Sequence, residues 1–320
     1  MILALIIVSI ASLVFGSKAI SIHDVMDGLF HSDSDSHNAN IARKRLVRTI
    51  FALFCGAALG VAGALMQSVT RNPLADPSIL GVNTGASLFV VLGIVLFNIT
   101  SADQYIWLAL LGAGLTAIFV FGIGSLGKGG ATPIKLVLAG AATTAALSSL
   151  VTAFLIPSTY AMDIFRFWQV GSVGAGTTHS MMIFMPFLVV GLAIAFITAP
   201  ALNALALGDE VASSLGVHPK YLRFAAALGG ILLCGAATAL AGPIGFIGLL
   251  ATHLMRLLLG PDLRFVIPMS AIAGAIILIL SDVAGRLIGS PGELEVGVVT
   301  AFIGAPILIY LAKRSKVRSL

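Results

Sequence analysis

Charged side chains are scarce in this sequence. Only 18 Lys and Arg and 13 Asp and Glu occur among 320 residues, about 10% of the chain, whereas a soluble globular domain carries roughly 25%. The hydrophobic fraction is 58%, and the mean hydropathy is +1.08. This leaves too little polar surface to cover a water-soluble particle of this size. The composition therefore indicates a membrane protein.

The sequence also lacks the residues that most cofactor and metal sites need. Its two cysteines, Cys55 and Cys234, lie inside apolar runs and imply neither a disulfide scaffold nor a metal site. The six histidines are dispersed, without a His-Glu-x-x-His motif. The net charge of +5 is too small and scattered for a nucleic-acid-binding surface. A metalloenzyme, an intramembrane enzyme and a nucleic-acid binder are all disfavoured.

One stretch comes close to a phosphate-binding loop without completing it. Gly122-Ile-Gly-Ser-Leu-Gly127 is followed by Lys128, but the next residue is Gly129, where the motif needs a Ser or Thr hydroxyl. The stretch also follows an apolar helix and not a buried strand. We interpret it as a cytoplasmic turn, so any energy source lies outside this chain.

Uncharged intervals define the candidate membrane helices, because about 20 apolar residues are needed to cross a bilayer. Gly242-Pro-Ile-Gly245 splits one long interval into two helices. Another begins with the glycine-rich stretch 171–176, which predicts a non-helical piece before a helix at about 180–207. The result is an all-α polytopic protein of about ten crossings, with both termini on one side. The intervals are 1–17, 49–70, 77–102, 104–127, 136–162, 167–208, 224–255, 265–281 and 296–312.

The distribution of basic residues favours cytoplasmic termini. In that orientation 11 of the 18 Lys and Arg residues lie on the inner side. The basic cluster 43–48 then faces outward, and an inverted topology is the alternative. The polar segment 21–45 is predicted to be an outer loop between the first two crossings. The first apolar run is interpreted as a membrane helix; a cleaved signal peptide is the alternative, although it lacks a basic n-region.

Several motifs stand in order along the chain, from about residue 43 to the C-terminus. They are Arg45-Leu-Val-Arg48, Gly63-Ala-Leu-Met-Gln67, Arg71-Asn-Pro-Leu-Ala-Asp-Pro77, Gly81-Val-Asn-Thr-Gly-Ala86, 207–217, Gly242-Pro-Ile-Gly-Phe-Ile-Gly248 with His253 and Arg256, Gly260-Pro-Asp262, 281–286, Glu293 and 297–306. Together these motifs resemble FecCD-type permeases of bacterial importers for ferric siderophores, haem and cobalamin, with Val47 and Ala251-Thr252 as departures from the usual pattern.

This resemblance implies one permease domain over residues 1–320, with the type II ABC importer fold, in the bacterial cytoplasmic membrane. It implies a transport subunit and not an enzyme, with no cofactor of its own because ATP and Mg²⁺ are bound by a partner. The partners implied are a second permease, identical or homologous, two ATP-binding subunits and a substrate-binding protein. The stretch 167–172 is closer to siderophore members; cobalamin or haem remains the alternative cargo.

The segment 208–220 is predicted to contain a short cytoplasmic helix. Asp209 suits the N-cap, Glu210 suits the first turn, and Gly216 suits the C′ position. Such a short helix needs a packing partner. The resemblance implies that it couples to the ATP-binding subunit; packing on its own membrane domain is the alternative. The coupling residues implied are Gly208, Asp209, Glu210, Ala212, Leu215 and Gly216.

Two arginines on the predicted outer side are candidates for contact with a soluble partner. Arg45 and Arg48 lie three residues apart on one helix face, and guanidinium groups pair well with carboxylates. The resemblance implies that they and Arg286 meet glutamates of the substrate-binding protein. The alternatives are contact with lipid headgroups for Arg45 and Arg48, and an ion pair with Asp282 at i−4 for Arg286.

The resemblance also implies a gate and a translocation path. Asn72 and Leu74 match positions at a cytoplasmic gate, although a plain turn is the alternative. A helix rich in small and hydroxyl side chains is implied to line the path, although ordinary helix packing explains such residues equally well. Its candidate lining residues are Gly140, Thr143, Thr144 and Ser148.

An ion-coupled secondary transporter is the main rival of another class. Such a carrier normally places ionisable groups at mid-membrane. The intervals 49–70, 136–162 and 167–208 contain no Asp, Glu, Lys or Arg. The sequence therefore favours the ATP-driven importer, which works by alternating access.

Overall fold

The computed structural model describes residues 1–30, 36–99, 102–127 and 132–315. Within these ranges the regular structure is helical, as the composition predicts, with a 3-10 turn at Pro77–Leu80. The α-helices are α1 Ile2–Val14, α2 Ile22–Phe30, α3 His37–Thr70, α4 Val82–Phe97, α5 Ala102–Gly124, α6 Pro133–Leu155, α7 Thr159–Gln169, α8 Thr178–Ala206, α9 Asp209–Ser214, α10 Pro219–Ala241, α11 Ile247–Leu259, α12 Leu263–Ile288 and α13 Val296–Ser315.

Six of the described helices are long and apolar enough to cross a membrane: α3, α5, α6, α8, α10 and α12. Four more, α1, α4, α11 and α13, are apolar but shorter. Together they occupy the predicted intervals, one helix to each interval once the long one is split at its glycines. The multi-pass helical class is confirmed, whereas the number of complete crossings stays a prediction.

Helix α3 lies at the centre of the bundle, because a stripe of glycines lets two neighbours approach its backbone. A Cβ added to Gly56 or Gly60 would lie within 2.5 Å of carbonyl oxygens of Gly274 or Ser270 on α12. A Cβ on Gly63 would meet the backbone of Gly248 on α11 at 2.4 Å. These contacts explain the high glycine content, since small residues permit close helix packing in membranes.

Both breaks predicted from glycine are present. Helix α10 ends at Ala241 and α11 begins at Ile247, with positive φ angles at Gly242 and Phe246. Residues 170–177 are non-helical before α8, whose first turn is capped by the Thr177 hydroxyl accepting from the Ser180 amide. Positive φ at Gly242 is the conformation that glycine adopts without steric cost.

The segment 21–45 is not the simple loop that its polar composition predicts. Helix α2 lies within it and packs on α3, whose first turns begin at His37 and are capped by the Ser36 hydroxyl. Ile20, Val25 and Ala42 form a small buried cluster between them. Apolar residues at helical spacing (22, 25, 26 and 29) build one face of α2, and average polarity hides that period.

Helix α7 is a second element that the pattern of uncharged intervals misses. Its charged pair, Asp163 and Arg166, interrupts the apolar sequence, yet Ala161, Phe165 and Trp168 are buried on one face. Spacings of four and three residues place these three side chains together. The helix lies beside the non-helical residues 170–177 at the predicted outer side.

Candidate functional site

Arg45 caps the C-terminal end of α1 from the neighbouring helix. It is 7% exposed, and its Nη1 donates to the carbonyl oxygens of Leu13 at 3.1 Å and Val14 at 3.0 Å. Its Nη2 donates to the carbonyl oxygen of Lys18 at 2.5 Å. The last carbonyl groups of a helix have no partner within the helix. Arg45 supplies donors for two of them.

Arg286, on α12, also caps the C-terminal end of α1. It is 1% exposed, and its Nη1 donates to the carbonyl oxygens of Ser12 and Phe15. Its Nη2 donates to the Ser12 hydroxyl at 2.7 Å and lies 3.1 Å from the Asp282 carboxylate. The i−4 ion pair that was the alternative for Arg286 is therefore present.

Arg48 joins two carboxylates at the predicted outer end of the bundle. Its Nε and Nη2 donate to Asp282 at 3.0 and 2.7 Å, and its Nη1 donates to Glu293 at 2.6 Å. Asp282 is 2% exposed, and both Arg48 and Arg286 form ion pairs with its carboxylate. We call Arg45, Arg48, Arg286, Asp282 and Glu293 the outer cluster.

The outer cluster bears on the docking prediction. The donors of Arg45 and Arg286 are committed largely inside the chain, and both side chains are almost fully buried. Arg48 is partly exposed, and the neighbouring Lys44 is exposed. The prediction that the three arginines meet a partner therefore rests on Arg48 and the surface around it, with the other two supporting that surface from below.

On the predicted inner side, Asp209 ties α9 to two other helices. Its carboxylate accepts from Arg223 of α10 at 2.7 and 2.9 Å, and it also accepts from Arg71, which ends α3 in a left-handed conformation. Arg71 further donates to the carbonyl oxygen of Leu205 at the end of α8. One carboxylate thus joins α3, α9 and α10 at a single point.

The ends of α9 agree with the sequence at Gly216 and in the placement of Glu210 in the first turn, but not at the N-cap. The Gly216 amide donates to Ser213 and the Val217 amide to Ala212, each at 3.0 Å, with Gly216 at φ +79°. This is the Schellman pattern expected of a C′ glycine. The N-cap prediction for Asp209 was wrong: Gly208 is the N-cap, and Asp209 is the first helical residue. The Asp209 carboxylate instead accepts from the guanidinium groups of Arg71 and Arg223.

The surroundings of Asp209 also set its ionisation. Hydrogen bonds from Arg223, and secondarily the charges of Arg223 and Arg71, lower the pKa of Asp209 below its ordinary value of 3.8. Glu210 and Leu215 are exposed, whereas Ala212 is fully buried. The short helix therefore packs on the rest of the chain through one face and exposes another, which lies on the predicted inner side.

The predicted gate residues lie in a tight turn after α3. The Asn72 side-chain oxygen accepts from the Leu74 amide at 2.9 Å, and the Asn72 amide donates to the Gln67 carbonyl oxygen. Both residues are partly exposed. This is the geometry of an Asx turn, which the side chain of Asn stabilises locally.

Helix α6 carries the predicted path residues. Some of them face the interior of the chain and others are exposed. A Cβ on Gly140 would lie 1.8 Å from the Ile79 carbonyl oxygen, so this glycine seats α6 against the 3-10 turn. Thr143 is buried and Thr144 is partly buried, whereas Ser148 is exposed. Only 22% of an apolar 18-residue stretch of α6 is buried within the chain. Much of this helix is therefore available to lipid, to a second subunit or to a path.

Three functional contacts were missed by reasoning from the sequence. These are the Arg48–Glu293 pair, the tie from Asp209 to Arg71 and Arg223, and the capping of α1 by Arg45 and Arg286. Their partners lie from 14 to 274 residues apart in the chain. The sequence held one indication of these contacts: several of the polar residues involved belong to the motifs that resemble FecCD-type permeases. Within the described ranges, no group of three or more His, Cys, Asp or Glu is placed to hold a metal ion.

Comparisons with known proteins agree with one another. The profile of the FecCD transport family matches residues 4–314. The ferric enterobactin transport system permease FepD of Escherichia coli (strain K12) is 42% identical over 317 residues, covering 98% of this chain and 94% of that protein. The Fe(3+)-citrate import system permease YfmD of Bacillus subtilis (strain 168) is 41% identical over 301 residues, covering 94% and 89%.

A solved structure leads to the same group of proteins. It is described as an inward-facing conformation of a metal-chelate type ABC transporter, and it matches with a TM-score of 0.83 and 27% identity over 98% of this chain and 96% of that one. The resemblance inferred from the motifs is thus confirmed over nearly the whole length. The chain belongs to the FecCD transport family.

Proposed function

We propose that this chain is the permease subunit of an ATP-driven importer for ferric siderophores in the bacterial cytoplasmic membrane. The observation that carries this proposal is the family match over residues 4–314. The relatives named above transport ferric enterobactin or iron citrate according to their names, which favours an iron chelate over cobalamin or haem. The chain itself catalyses no reaction, and a partner binds ATP and Mg²⁺.

In this proposal residues 208–220 receive the motion of the ATP-binding subunit. Exposed Glu210 and Leu215 form the contact surface on α9, while Gly208 and Gly216 allow the sharp turns at its ends. Asp209 transmits movement because it joins α9 to α3 and α10. A shift of packed helices by a small rigid element is an established mode of switching.

The substrate-binding protein docks on the outer surface around Arg48 and Lys44, above Arg45 and Arg286. A basic cavity of about 290 Å³ at this end, lined by Lys18, Lys44 and the three arginines together with Glu293, supports the placement. Rim charges of this kind attract an acidic partner and guide its approach. The polar segment 21–45 lies on the same outer side.

A second permease, identical or homologous, completes the path against the exposed face of α6. Gly140, Thr143, Thr144 and Ser148 line or support that path, and Asn72 with Leu74 closes it at the inner side. Small and hydroxyl side chains offer no charge and no deep pocket to retain cargo. Residues 1–320 then act as one permease domain in each half of the importer.

The test of the proposal is the contact with the ATP-binding subunit. Glu210→Lys combined with Leu215→Asp removes the exposed surface of α9 without touching buried Ala212 or the Asp209 tie. We expect loss of the co-purified ATP-binding subunit and of the ATP hydrolysis stimulated by the binding protein. Asp163→Lys, an exposed charge change on α7, serves as the matched control. Full stimulation in the double variant would refute the coupling assignment.

A further inference from the structure

The two sides of the Arg48 guanidinium group differ in how firmly they are held. Its Nε and Nη2 donate to the Asp282 carboxylate, which is 2% exposed. Its Nη1 donates to Glu293, whose side chain is 41% exposed. Buried ion pairs are costly to break, whereas exposed ones contribute little because water and salt screen them. Asp282 therefore fixes Arg48 in place, and the bond to Glu293 is the one open to exchange.

The charge around Nη1 indicates which group competes for it. Arg48 and Glu293 both line the basic cavity of about 290 Å³ at the docking surface. Among the described residues that line this cavity, five are Lys or Arg and one, Glu293, is acidic. A carboxylate on an incoming protein fits this charge, since charge-assisted bonds to Arg are short and strong. Such a carboxylate also repels Glu293, because like charges at one donor destabilise each other.

Glu293 lies in the short connection between α12 and α13. The Leu294 amide donates to the Gly285 carbonyl oxygen on α12 at 3.1 Å. The Gly297 amide, at the start of α13, donates to the Gly171 carbonyl oxygen at the same distance. The Glu293 side chain adds a tie from this connection to α3. Without that tie, the start of α13 is held to the rest of the bundle less firmly.

We propose that Glu293 is a positioning residue whose carboxylate is displaced from Arg48 by a carboxylate of the docked substrate-binding protein. This inference rests on the proposed function, because it takes that protein as the docking partner. In the undocked permease, Glu293 occupies Nη1 and holds the connection against α3. On docking, the incoming carboxylate takes Nη1, Glu293 turns toward solvent, and the start of α13 is released.

The test measures the affinity of the importer's own substrate-binding protein for the assembled importer in lipid nanodiscs. Glu293→Gln removes the competing charge, so docking should be about fivefold tighter. Glu295→Gln, two residues along at a partly exposed position, removes an equal charge outside the ion pair. It is the matched control for general attraction of an acidic partner, and it should change the affinity less than about twofold. A Glu293 that only stabilised the fold would give weaker docking in Glu293→Gln.

A double variant shows whether the effect passes through Arg48. Arg48→Gln should weaken docking, and adding Glu293→Gln to it should cause no further change, because the donor that is competed for is gone. Glu293→Ala should tighten docking as Glu293→Gln does, so the test does not depend on one variant. Melting temperatures identify any variant that is misfolded.

Amide hydrogen exchange over residues 289–297 measures the release itself. In the wild type these amides should exchange about fivefold faster when the binding protein docks, because docking and release are coupled reciprocally. A protein that merely covered this surface would slow their exchange. In Glu293→Gln, exchange should already be fast in the undocked importer and should change little on docking.

Any of four results would overturn the exchange of partners at Arg48. These are unchanged or weaker docking in Glu293→Gln, an equal gain in Glu295→Gln, a gain that persists without Arg48, and slower exchange of residues 289–297 on docking. Each of them leaves the proposed function intact if the wild-type importer binds its binding protein and transports. A wild-type importer that does not bind it would instead refute the docking on which the proposed function depends.

Discussion

At the scale of single residues, Asp282 holds the outer end of the bundle together. Its carboxylate pairs with Arg48 and Arg286, and Arg286 in turn caps α1 through Ser12. Removing one member of a buried ion pair leaves the other charges without compensation, which costs about 3–5 kcal/mol. Burial, and not the number of ion pairs, decides which charge matters for stability.

Asp282→Asn should therefore destabilise the protein strongly. We expect the melting temperature of the detergent-solubilised chain to fall by several degrees, because buried Arg286 loses its counter-ion and Arg48 keeps only Glu293. Asp163→Asn breaks an ion pair whose partners are both more than 60% exposed, and it should change the melting temperature little, since such pairs contribute about 0–1 kcal/mol. Equal shifts in the two variants would contradict the role given to Asp282.

The ionisation of Asp209 predicts how α9 responds to pH. Because the folded-state pKa lies below 3.8, the stabilisation from this carboxylate is fully present above about pH 4 and is lost as the pH falls through the folded pKa. Amide hydrogen exchange over residues 209–217, corrected for its intrinsic pH dependence, measures the attachment. Protection should be constant from pH 5 to 8 and be lost as the pH falls through the lowered pKa, below 3.8.

Asp209→Asn provides the control for this pH effect. At neutral pH it should exchange as fast as the wild type does at low pH, and its own protection should not depend on pH. Glu210→Gln should behave like the wild type, since Glu210 is exposed. Unchanged protection in Asp209→Asn would show that α9 is held by something other than this carboxylate.

At the scale of helices, packing around α3 depends on the absence of side chains. Gly60 lies against α12, where an added Cβ would be 2.1 Å from the Ser270 carbonyl oxygen. Neither backbone can give way without separating the two helices. Gly114 on α5 has nothing within 4 Å of the corresponding position. Both glycines lie inside long apolar helices, but Gly60 contacts another backbone whereas Gly114 faces open space.

Gly60→Ala should lower the melting temperature markedly, because overpacking of this kind costs about 1–3 kcal/mol or more. Gly114→Ala should be neutral or slightly stabilising, since alanine is the better helix former by about 1 kcal/mol. Thermal unfolding of the two purified variants beside the wild type measures the difference. A Gly60→Ala protein as stable as the Gly114→Ala protein would contradict the packing described for α3.

Helix boundaries show what the sequence could predict at this scale. The break between α10 and α11 follows from Gly242 and Pro243, and the start of α8 follows from the glycines at 171–176, because backbone preferences act locally. Helices α2 and α7 were missed because each is short and carries charge on one face. Their apolar period is readable, but average polarity over the segment conceals it.

At the scale of the whole molecule, the fold class and family follow from local motifs in their order along the chain. The role of the arginines does not. Arg45 and Arg286 lie in helices whose contact with the end of α1 joins residues far apart in sequence. A motif identifies an arginine without showing whether its donors point outward or are consumed by carbonyl groups. Only the packed structure distinguishes a docking residue from one that supports it.

The central claim is that this chain is a conduit moved by a separate ATP-binding subunit. The most direct measurement is uptake of radioactive ferric siderophore into sealed vesicles containing this permease with its ATP-binding subunit and binding protein, with ATP supplied on the side of that subunit. Uptake should require ATP and all partners, and it should persist when proton and sodium gradients are abolished. Accumulation in vesicles that hold only this chain and an ion gradient would contradict the account.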